Sequence, residues 1–199
     1  MIAVIDYKAG NLTSVVKALA ALGAAAQVTA DPADIRSAER VILPGVGHFA
    51  ATARLRESGI EDAVRDIVVV GVPFLGICVG LQWLFAGSTE ASATPGLGAL
   101  AGSCTRFPET VKVPHVGWNT LESVHDSRLL AGLPPHPFVY YTHSFRAPVV
   151  NETVGVTEYA EPFTGAIERG NLFGVQFHPE KSGEVGLQIL RNFLAVSSC

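Results

Sequence analysis

Cysteine and charge are both scarce in this sequence. The 199 residues include three cysteines, and charged side chains make up 16% of the chain. Cys78, Cys104 and Cys199 lie far apart, with no CxxC pair and no HExxH segment. This excludes a disulfide-built scaffold and gives no support for a metal site. Such cysteine usage is typical of a reducing compartment, so we expect a cytoplasmic protein.

Clusters of basic residues are also missing. The 14 Lys and Arg residues occur singly, and 18 acidic residues give a formal net charge of -4. We expect no binding to nucleic acid or to an anionic membrane surface, because both require a concentrated positive patch. The N-terminus has no basic segment and reaches Asp6 almost at once, so we expect no signal peptide.

An uncharged, largely apolar stretch covers residues 67–85. Its length alone would suit a membrane-spanning helix. Glycines and Pro73 interrupt it, and the β-branched residues before Cys78 favour a strand. We therefore interpret the stretch as a buried strand followed by a buried helix.

Short apolar strands alternate with amphipathic helices over much of the chain. This pattern predicts an α/β fold, with a mostly parallel sheet covered by helices on both faces. Residues 87–137, rich in Gly, Ser, Thr and Pro, predict loops or antiparallel edge strands, and residues 1–199 form one domain. The predicted strands are 2–6, 25–29, 40–43, 72–77, 138–142, 153–159, 164–168 and 172–177. The first predicted helix is capped by Asn11 and ends at Gly23. The other predicted helices cover residues 49–57 and 60–69, a segment that begins at Val79, and residues 183–196.

The sharpest local pattern is Gly76-Ile77-Cys78-Val79-Gly80. It lies where a predicted strand becomes a helix, which is the setting of a nucleophile elbow. A Cβ at either glycine would collide with the neighbouring strand or helix. The helix start favours a thiolate, and free N–H groups such as that of Val79 can bind an oxyanion. A free cysteine is more often a buried apolar residue, but this placement favours Cys78 as a nucleophile.

A thiol nucleophile needs an imidazole partner, which in turn needs an orienting acceptor. His178 follows a predicted strand, and Pro179 biases it towards extended backbone. In an extended segment residues i and i+2 face the same way, so Glu180 can approach the ring. No other histidine has an acid at this spacing in so constrained a context. We predict that His178 and Glu180 serve Cys78.

A second glycine-rich loop, residues 44–50, formally matches GxGxxA. A dinucleotide site would need this motif after the first strand, with an acid ending the next strand. Here it follows the third predicted strand, and Asp62 and Asp66 fall in a helix. We instead predict that backbone N–H groups around Gly45 and Val46 complete an oxyanion hole beside Cys78.

Residues 76–82 and 177–180 together resemble the class I, triad-type glutamine amidotransferases. The resemblance implies their flavodoxin-like fold with antiparallel edge strands. It also implies hydrolysis of L-glutamine to glutamate and ammonia by Cys78, His178 and Glu180, without metal or organic cofactor. The residues implied around the bound glutamine are Gln82, Glu90, His143 and Ser144.

Further segments resemble the glutaminase subunits of imidazole glycerol phosphate synthase, namely residues 44–49, 114–119 and 178–182. This resemblance runs from about residue 2 to 195. It implies a heterodimer with a β/α-barrel cyclase, which uses the ammonia in histidine biosynthesis. It places Asn11, Trp118 and Lys181 at the cyclase interface, and Val46 and Val79 at the oxyanion. The residues that depart from the family pattern are Lys8, Val79, Leu81 and Phe145.

Three alternatives remain open from the sequence. The nearest is the glutaminase of another amidotransferase, for anthranilate, aminodeoxychorismate or pyridoxal phosphate synthesis. Residues 115–119 and Lys181 argue against it. The others are a non-catalytic interaction subunit, against which the intact triad argues, and a cysteine peptidase on a similar fold, which a substrate test would separate.

Overall fold

The computed structural model describes residues 1–197, so Cys199 lies outside the described residues. Within this range strands outnumber helices. The strands are β1 (Ile2–Ile5), β2 (Ala26–Thr29), β3 (Arg40–Gly45), β4 (Phe74–Cys78), β5 (Gly87–Ser88), β6 (Ser103–Arg106), β7 (His115–Thr120), β8 (Glu122–Ser123), β9 (Phe138–His143), β10 (Phe145–Arg146), β11 (Thr153–Tyr159), β12 (Glu161–Arg169) and β13 (Leu172–Val175). The α-helices are α1 (Leu12–Ala21), α2 (Pro32–Ser37), α3 (Ala53–Glu57), α4 (Ile60–Val69), α5 (Val79–Trp83) and α6 (Gly183–Ala195). Two 3-10 turns cover Phe49–Thr52 and Pro179–Lys181.

An eight-stranded sheet forms the centre, in the order β2-β1-β3-β4-β13-β12-β11-β8. The strands from β2 to β13 pair in parallel. From β13 onwards, β12, β11 and β8 pair antiparallel. The predicted α/β fold with a parallel sheet and antiparallel edge strands is therefore confirmed.

The parallel strands inside the sheet are buried almost without interruption, whereas the edge strand β2 is largely exposed. All residues of β1 and β4 are buried, as are all but the first residue of β3. Continuous burial is expected where helices cover both faces of a sheet. The uncharged stretch at residues 67–85 contains the end of α4, then β4 and α5, as predicted. No helix among the described residues is long and apolar enough to cross a membrane.

Helix α1 confirms one predicted boundary signal and contradicts another. At its C-terminus, Gly23 has a positive φ of 74° and its N–H donates to Ala20, while Ala24 N–H donates to Leu19. This is the Schellman arrangement expected of a glycine stop. The prediction that Asn11 caps the helix is wrong, because its side chain makes no capping hydrogen bond and its φ and ψ of -91° and 66° are not those of an extended cap.

Other boundaries differ from the prediction. Helix α2 was not predicted, although Asp31 accepts a capping hydrogen bond from Ala33 and Pro32 opens the helix. The predicted helix at residues 49–57 is divided into a 3-10 turn and α3. Strand β3 continues to Gly45 instead of ending at Leu43.

The region predicted as loops or edges, residues 87–137, contributes β5, β6 and β7 to two small sheets. One joins β10, β6 and β5, and the other pairs β7 with β9 antiparallel. In the second pair His115 lies opposite His143 and Trp118 lies opposite Tyr140. The β7–β9 pair thus brings two distant segments to the end of the central sheet at which Cys78 lies.

Candidate active site

Cys78 lies on a sharp turn between β4 and α5. It has a φ of 55° and a ψ of -109°, a conformation that is strained for a residue with a Cβ. A Cβ on Gly76 would lie 2.5 Å from the carbonyl oxygen of Gly80, and one on Gly80 would lie 2.1 Å from that of Leu43. Only glycine fits at both positions, so the turn is built as the sequence predicted, with the cysteine at its apex.

His178 and Glu180 form a buried pair beyond the end of β13. His178 Nδ1 lies 2.9 Å from Glu180 Oε1, and each side chain is 1% exposed. His178 is extended, as predicted, but Glu180 belongs to a 3-10 turn. The predicted contact is present, whereas the extended backbone proposed for the residues after His178 is wrong. Because β4 and β13 are parallel neighbours, their carboxyl ends bring Cys78 and His178 to one edge of the sheet.

The surroundings of His178 favour its protonated form. Burial by itself lowers the pKa of the imidazole, but the nearby Cys78 sulfur and the Glu180 carboxylate outweigh burial and raise that pKa to about 9. Nε2 of His178 is buried and has no hydrogen-bond partner among residues 1–197, so no direct hydrogen bond joins it to the sulfur. The imidazolium can therefore give its Nε2 proton to a group that enters the site.

A cleft of about 250 Å³ opens beside Cys78. All four side chains expected around glutamine line it, together with Val46 and Val79. Glu90 also accepts a hydrogen bond of 2.8 Å from the Phe49 N–H, which ties the cleft wall to the loop after β3. The lining residues are Val46, Gly47, Cys78, Val79, Gln82, Glu90, Pro114, Thr142, His143, Ser144 and Phe145.

Gly45 has a different place from the one predicted. It is the last residue of β3, lies opposite Cys78 in register, and is not among the residues that line the cleft. A Cβ there would lie 2.8 Å from the backbone nitrogen of Gly80. Its backbone is held in the sheet, whereas Gly47 has a left-handed φ of 93° and faces open space. Gly45 is therefore held by close packing, and the backbone freedom of this loop lies at Gly47.

An exposed apolar face lies on the outer side of the β7–β9 pair. Its members are Val116, Trp118, Phe138 and Tyr140, and we call it the Trp118 face. Trp118 is 55% exposed and its ring centre lies 5.9 Å from that of Tyr140. Lys181 Nζ lies 5.9 Å from the same Tyr140 ring. Two of the residues expected at a partner interface are thus on one surface, and Asn11 begins α1, which packs against the Pro179–Lys181 turn.

Sequence reasoning missed two buried polar side chains of the site. His115 Nδ1 lies 3.1 Å from His143 Nε2 behind the cleft wall. Gln176, inside an otherwise apolar stretch, lies with Nε2 3.6 Å from Cys78 Sγ. A polar residue in an apolar strand was the available signal for Gln176, because a buried amide must find partners. Among residues 1–197, no group of three or more His, Cys, Asp or Glu side chains is arranged to hold a metal ion.

Comparison with known proteins agrees with this geometry. The family model of class-I glutamine amidotransferases matches residues 3–196. The imidazole glycerol phosphate synthase subunit HisH of Moorella thermoacetica is 50% identical over 195 residues, covering 96% of this chain and 93% of its own. The HisH subunit of Methanothermobacter thermautotrophicus is 45% identical and covers 98% of both chains.

A solved structure described as a glutamine amidotransferase is 22% identical, covers 98% of this chain and 97% of its own, and superimposes with a TM-score of 0.77. At that identity it supports the fold alone. The sequence relatives and the family model are more specific, and both span nearly the whole chain. This chain therefore belongs to the class-I glutamine amidotransferases and, within them, to the HisH subunits of imidazole glycerol phosphate synthase.

Proposed function

We propose that the chain hydrolyses L-glutamine to glutamate and ammonia, with Cys78 as the nucleophile. It acts as the glutaminase subunit that supplies ammonia to imidazole glycerol phosphate synthesis in histidine biosynthesis. The observation that carries the assignment is the arrangement at one sheet edge, where a strained cysteine faces a cleft beside a buried histidine–carboxylate pair. Residues 1–199 act as a single glutaminase domain in the cytoplasm.

The reaction begins when the Cys78 thiolate attacks the side-chain amide carbon of glutamine. The electron pair of the carbonyl moves to its oxygen, and the Val79 and Val46 N–H groups donate to that oxyanion. His178, protonated because of its raised pKa, gives the Nε2 proton to the leaving nitrogen as the C–N bond breaks. Ammonia departs and a thioester remains on Cys78.

Hydrolysis of the thioester completes the cycle. Neutral His178 now takes a proton from water, the hydroxide formed attacks the thioester carbon, and glutamate leaves as the thiolate is regenerated. Glu180 accepts from Nδ1 throughout, fixing the tautomer that leaves Nε2 towards the reacting atoms. Gln82, Glu90, His143 and Ser144 orient glutamine from the walls of the same cleft.

The partner is a cyclase subunit, as the names of the relatives imply, and we propose that it has a β/α-barrel fold. The Trp118 face supports this assignment, because large exposed apolar side chains beside a cation are typical of a protein interface. Lys181 follows Glu180 directly in sequence. Ammonia released beside His178 therefore has a short route to a partner docked over Trp118, Lys181 and Asn11.

We further propose that the oxyanion loop responds to this partner. In the resting chain the Val46 N–H points away from Cys78, and it turns inwards when cyclase and cyclase ligand are bound. Gly47 supplies the backbone freedom for this change, since Gly45 is held in β3. Such coupling prevents glutamine from being wasted when no acceptor is present.

Glutamate release by the complex with its cyclase tests the proposal. Cyclase ligand should stimulate the wild-type complex, whereas the isolated chain should be a poor glutaminase. Cys78→Ala should lower turnover by at least about 10⁴-fold with an unchanged unfolding midpoint, because triad members act as a unit. Cys104→Ala is the matched control and should leave turnover within about threefold of wild type, since Cys104 does not line the cleft and contacts it only through the Gln82 carbonyl oxygen, at 3.8 Å. Turnover by Cys78→Ala close to wild type would refute the assignment of the nucleophile.

A further inference from the structure

Gln176 is a fully buried amide that contacts the nucleophilic sulfur. It follows β13 directly, and its Nε2 lies 3.6 Å from Cys78 Sγ. The sulfur makes one other hydrogen bond among the described residues, to the Thr142 carbonyl oxygen at 4.0 Å. A carbonyl oxygen can only accept, so this second contact serves the thiol S–H and offers nothing to a thiolate.

The orientation of the Gln176 amide is fixed by a chain of hydrogen bonds. The Phe145 carbonyl oxygen is only an acceptor, so the Gln82 atom 2.8 Å from it must be the amide nitrogen. The same Gln82 nitrogen lies 3.1 Å from the Gln176 amide, so the Gln176 atom facing it must be the oxygen. The remaining end of the Gln176 amide, its NH₂ group, therefore faces Cys78 Sγ.

We propose that Gln176 is a further catalytic residue, which donates a hydrogen bond to the Cys78 sulfur and stabilises the thiolate. This role rests on the proposed function of Cys78 as the nucleophile. A neutral thiol sulfur is a weak acceptor, whereas a hydrogen bond to a charged group is roughly twice as strong as a neutral one. The amide therefore favours the thiolate over the thiol, and does so from a site without water because Gln176 is fully buried.

The same hydrogen bonds connect the sulfur to the glutamine cleft. Gln82 lines the cleft, and the Phe145 carbonyl that orients it also accepts from His143 Nδ1 at 2.9 Å. His178 and Gln176 thus stabilise the thiolate by different means. His178 supplies a positive charge and later a proton, whereas Gln176 supplies a neutral donor that stays in place through both halves of the reaction.

The test compares Gln176→Met with wild type in the complex with the cyclase. Methionine keeps an unbranched side chain of similar length but has no N–H donor. Three quantities are measured: kcat for glutamine, KM for glutamine, and the rate at which iodoacetamide alkylates Cys78 as a function of pH, with the labelled peptide identified by mass. Gln188→Met is the matched control, because Gln188 lies on α6 and bonds to Asn192, outside the cleft.

Gln176→Met should raise the pH midpoint of Cys78 alkylation by about one to two pH units and lower kcat about ten- to a hundredfold, with KM little changed. Gln188→Met should match wild type in kcat, in KM and in the pH midpoint of Cys78 alkylation. An unchanged alkylation midpoint in folded Gln176→Met overturns the assignment, whatever happens to kcat. If Gln176→Met does not fold, Gln176→Asn takes its place. Its amide is one methylene shorter and no longer reaches the sulfur, so the same shift is expected and the same result overturns the assignment.

The two proposals fail in different ways. If iodoacetamide and an electrophilic glutamine analogue leave Cys78 of the wild-type complex unlabelled, the proposed function fails, and with it the role of Gln176. If Cys78 is labelled normally and only the Gln176 variants behave like wild type, the nucleophile stands and the assignment of Gln176 is wrong.

Discussion

Two buried histidine groups lie near Cys78, a single ring (His178) and a pair (His115 and His143), and they differ in charge. His178 is paired with the Glu180 carboxylate at 2.9 Å, and its pKa is raised to about 9. His143 is paired with His115 at 3.1 Å and with the Phe145 carbonyl at 2.9 Å. Burial lowers the pKa of His143 to about 3 and that of His115 to about 4. At neutral pH the first group is therefore cationic and the second is neutral.

The difference lies in the partners and not in the degree of burial. Burial disfavours the charged form of all three rings, but only His178 has an anionic partner that reverses the effect. In the neutral pair, His143 Nδ1 must donate to the Phe145 carbonyl, so its Nε2 accepts from His115 Nδ1. His178 is thus equipped to carry a proton, whereas His115 and His143 are fixed donors and acceptors that hold the cleft wall.

Loss of the cationic ring should have the largest effect. His178→Ala should lower glutamine turnover in the cyclase complex by at least about 10⁴-fold, because His178 is the group that protonates the leaving nitrogen in the proposed reaction. His115→Gln should change turnover by less than about tenfold, since the amide can still donate to His143 Nε2. Steady-state glutamate production measures both. Similar losses in the two variants would contradict the division into a proton carrier and a fixed wall.

Removal of the carboxylate should have an intermediate effect. Glu180→Gln keeps the shape of the side chain but removes the charge that raises the pKa of His178, so turnover should fall about 10²- to 10⁴-fold with glutamine affinity retained. The fraction of protonated His178 then decreases at a lower pH, so the basic limb of the kcat profile should move to lower pH. Glu184→Gln, at the exposed start of α6, is the matched control. If the basic limb of the kcat profile does not move in Glu180→Gln, Glu180 has a structural role and does not set the pKa of His178.

The two groups also differ in whether they could be predicted from the sequence. Cys78, His178 and Glu180 were predicted because each lies in a local pattern, a glycine-flanked turn or a pair of residues two apart next to proline. The contact between His115 and His143 depends on the register of β7 against β9, across 28 residues that contain no regular spacing. Long-range register is set by packing of the whole sheet and is not visible in a local pattern.

The same division holds for the fold. The parallel strands were predicted because continuous apolar runs between amphipathic helices have few other interpretations. The small sheet of β10, β6 and β5 was not, since strands of two to four residues carry too short a pattern to distinguish from loops. The close packing of Gly45 was not predicted for a related reason: only the three-dimensional neighbour Gly80 reveals it.

The smallest expected effect concerns stability in mild acid. Unfolded histidines bind protons below pH 6.5, while folded His115 and His143 stay neutral down to about pH 4 and about pH 3. The unfolded state therefore binds more protons in this range, and the free energy of unfolding should fall as the pH is lowered from 6.5 to 5. The slope contributed by each histidine approaches about 1.4 kcal/mol per pH unit towards pH 5, where the unfolded histidine is almost fully protonated. His178 adds no slope there, because the stability from its raised pKa is complete below pH 6.5 and is lost only as the pH rises through about 9.

Urea unfolding at several pH values between 6.5 and 5 measures this slope. His115→Gln removes one of the two titrating groups, so the slope near pH 5 should fall from about 2.8 to about 1.4 kcal/mol per pH unit. The replacement keeps a donor for His143 and fits between the rings of Tyr141 and Tyr159, which lie 5.0 and 4.0 Å from the His115 ring. His125→Gln, at an exposed position, should keep the wild-type slope. If His115→Gln also keeps that slope, His115 titrates in the folded protein much as it does in the unfolded chain, and the neutral pair that contrasts with His178 does not exist.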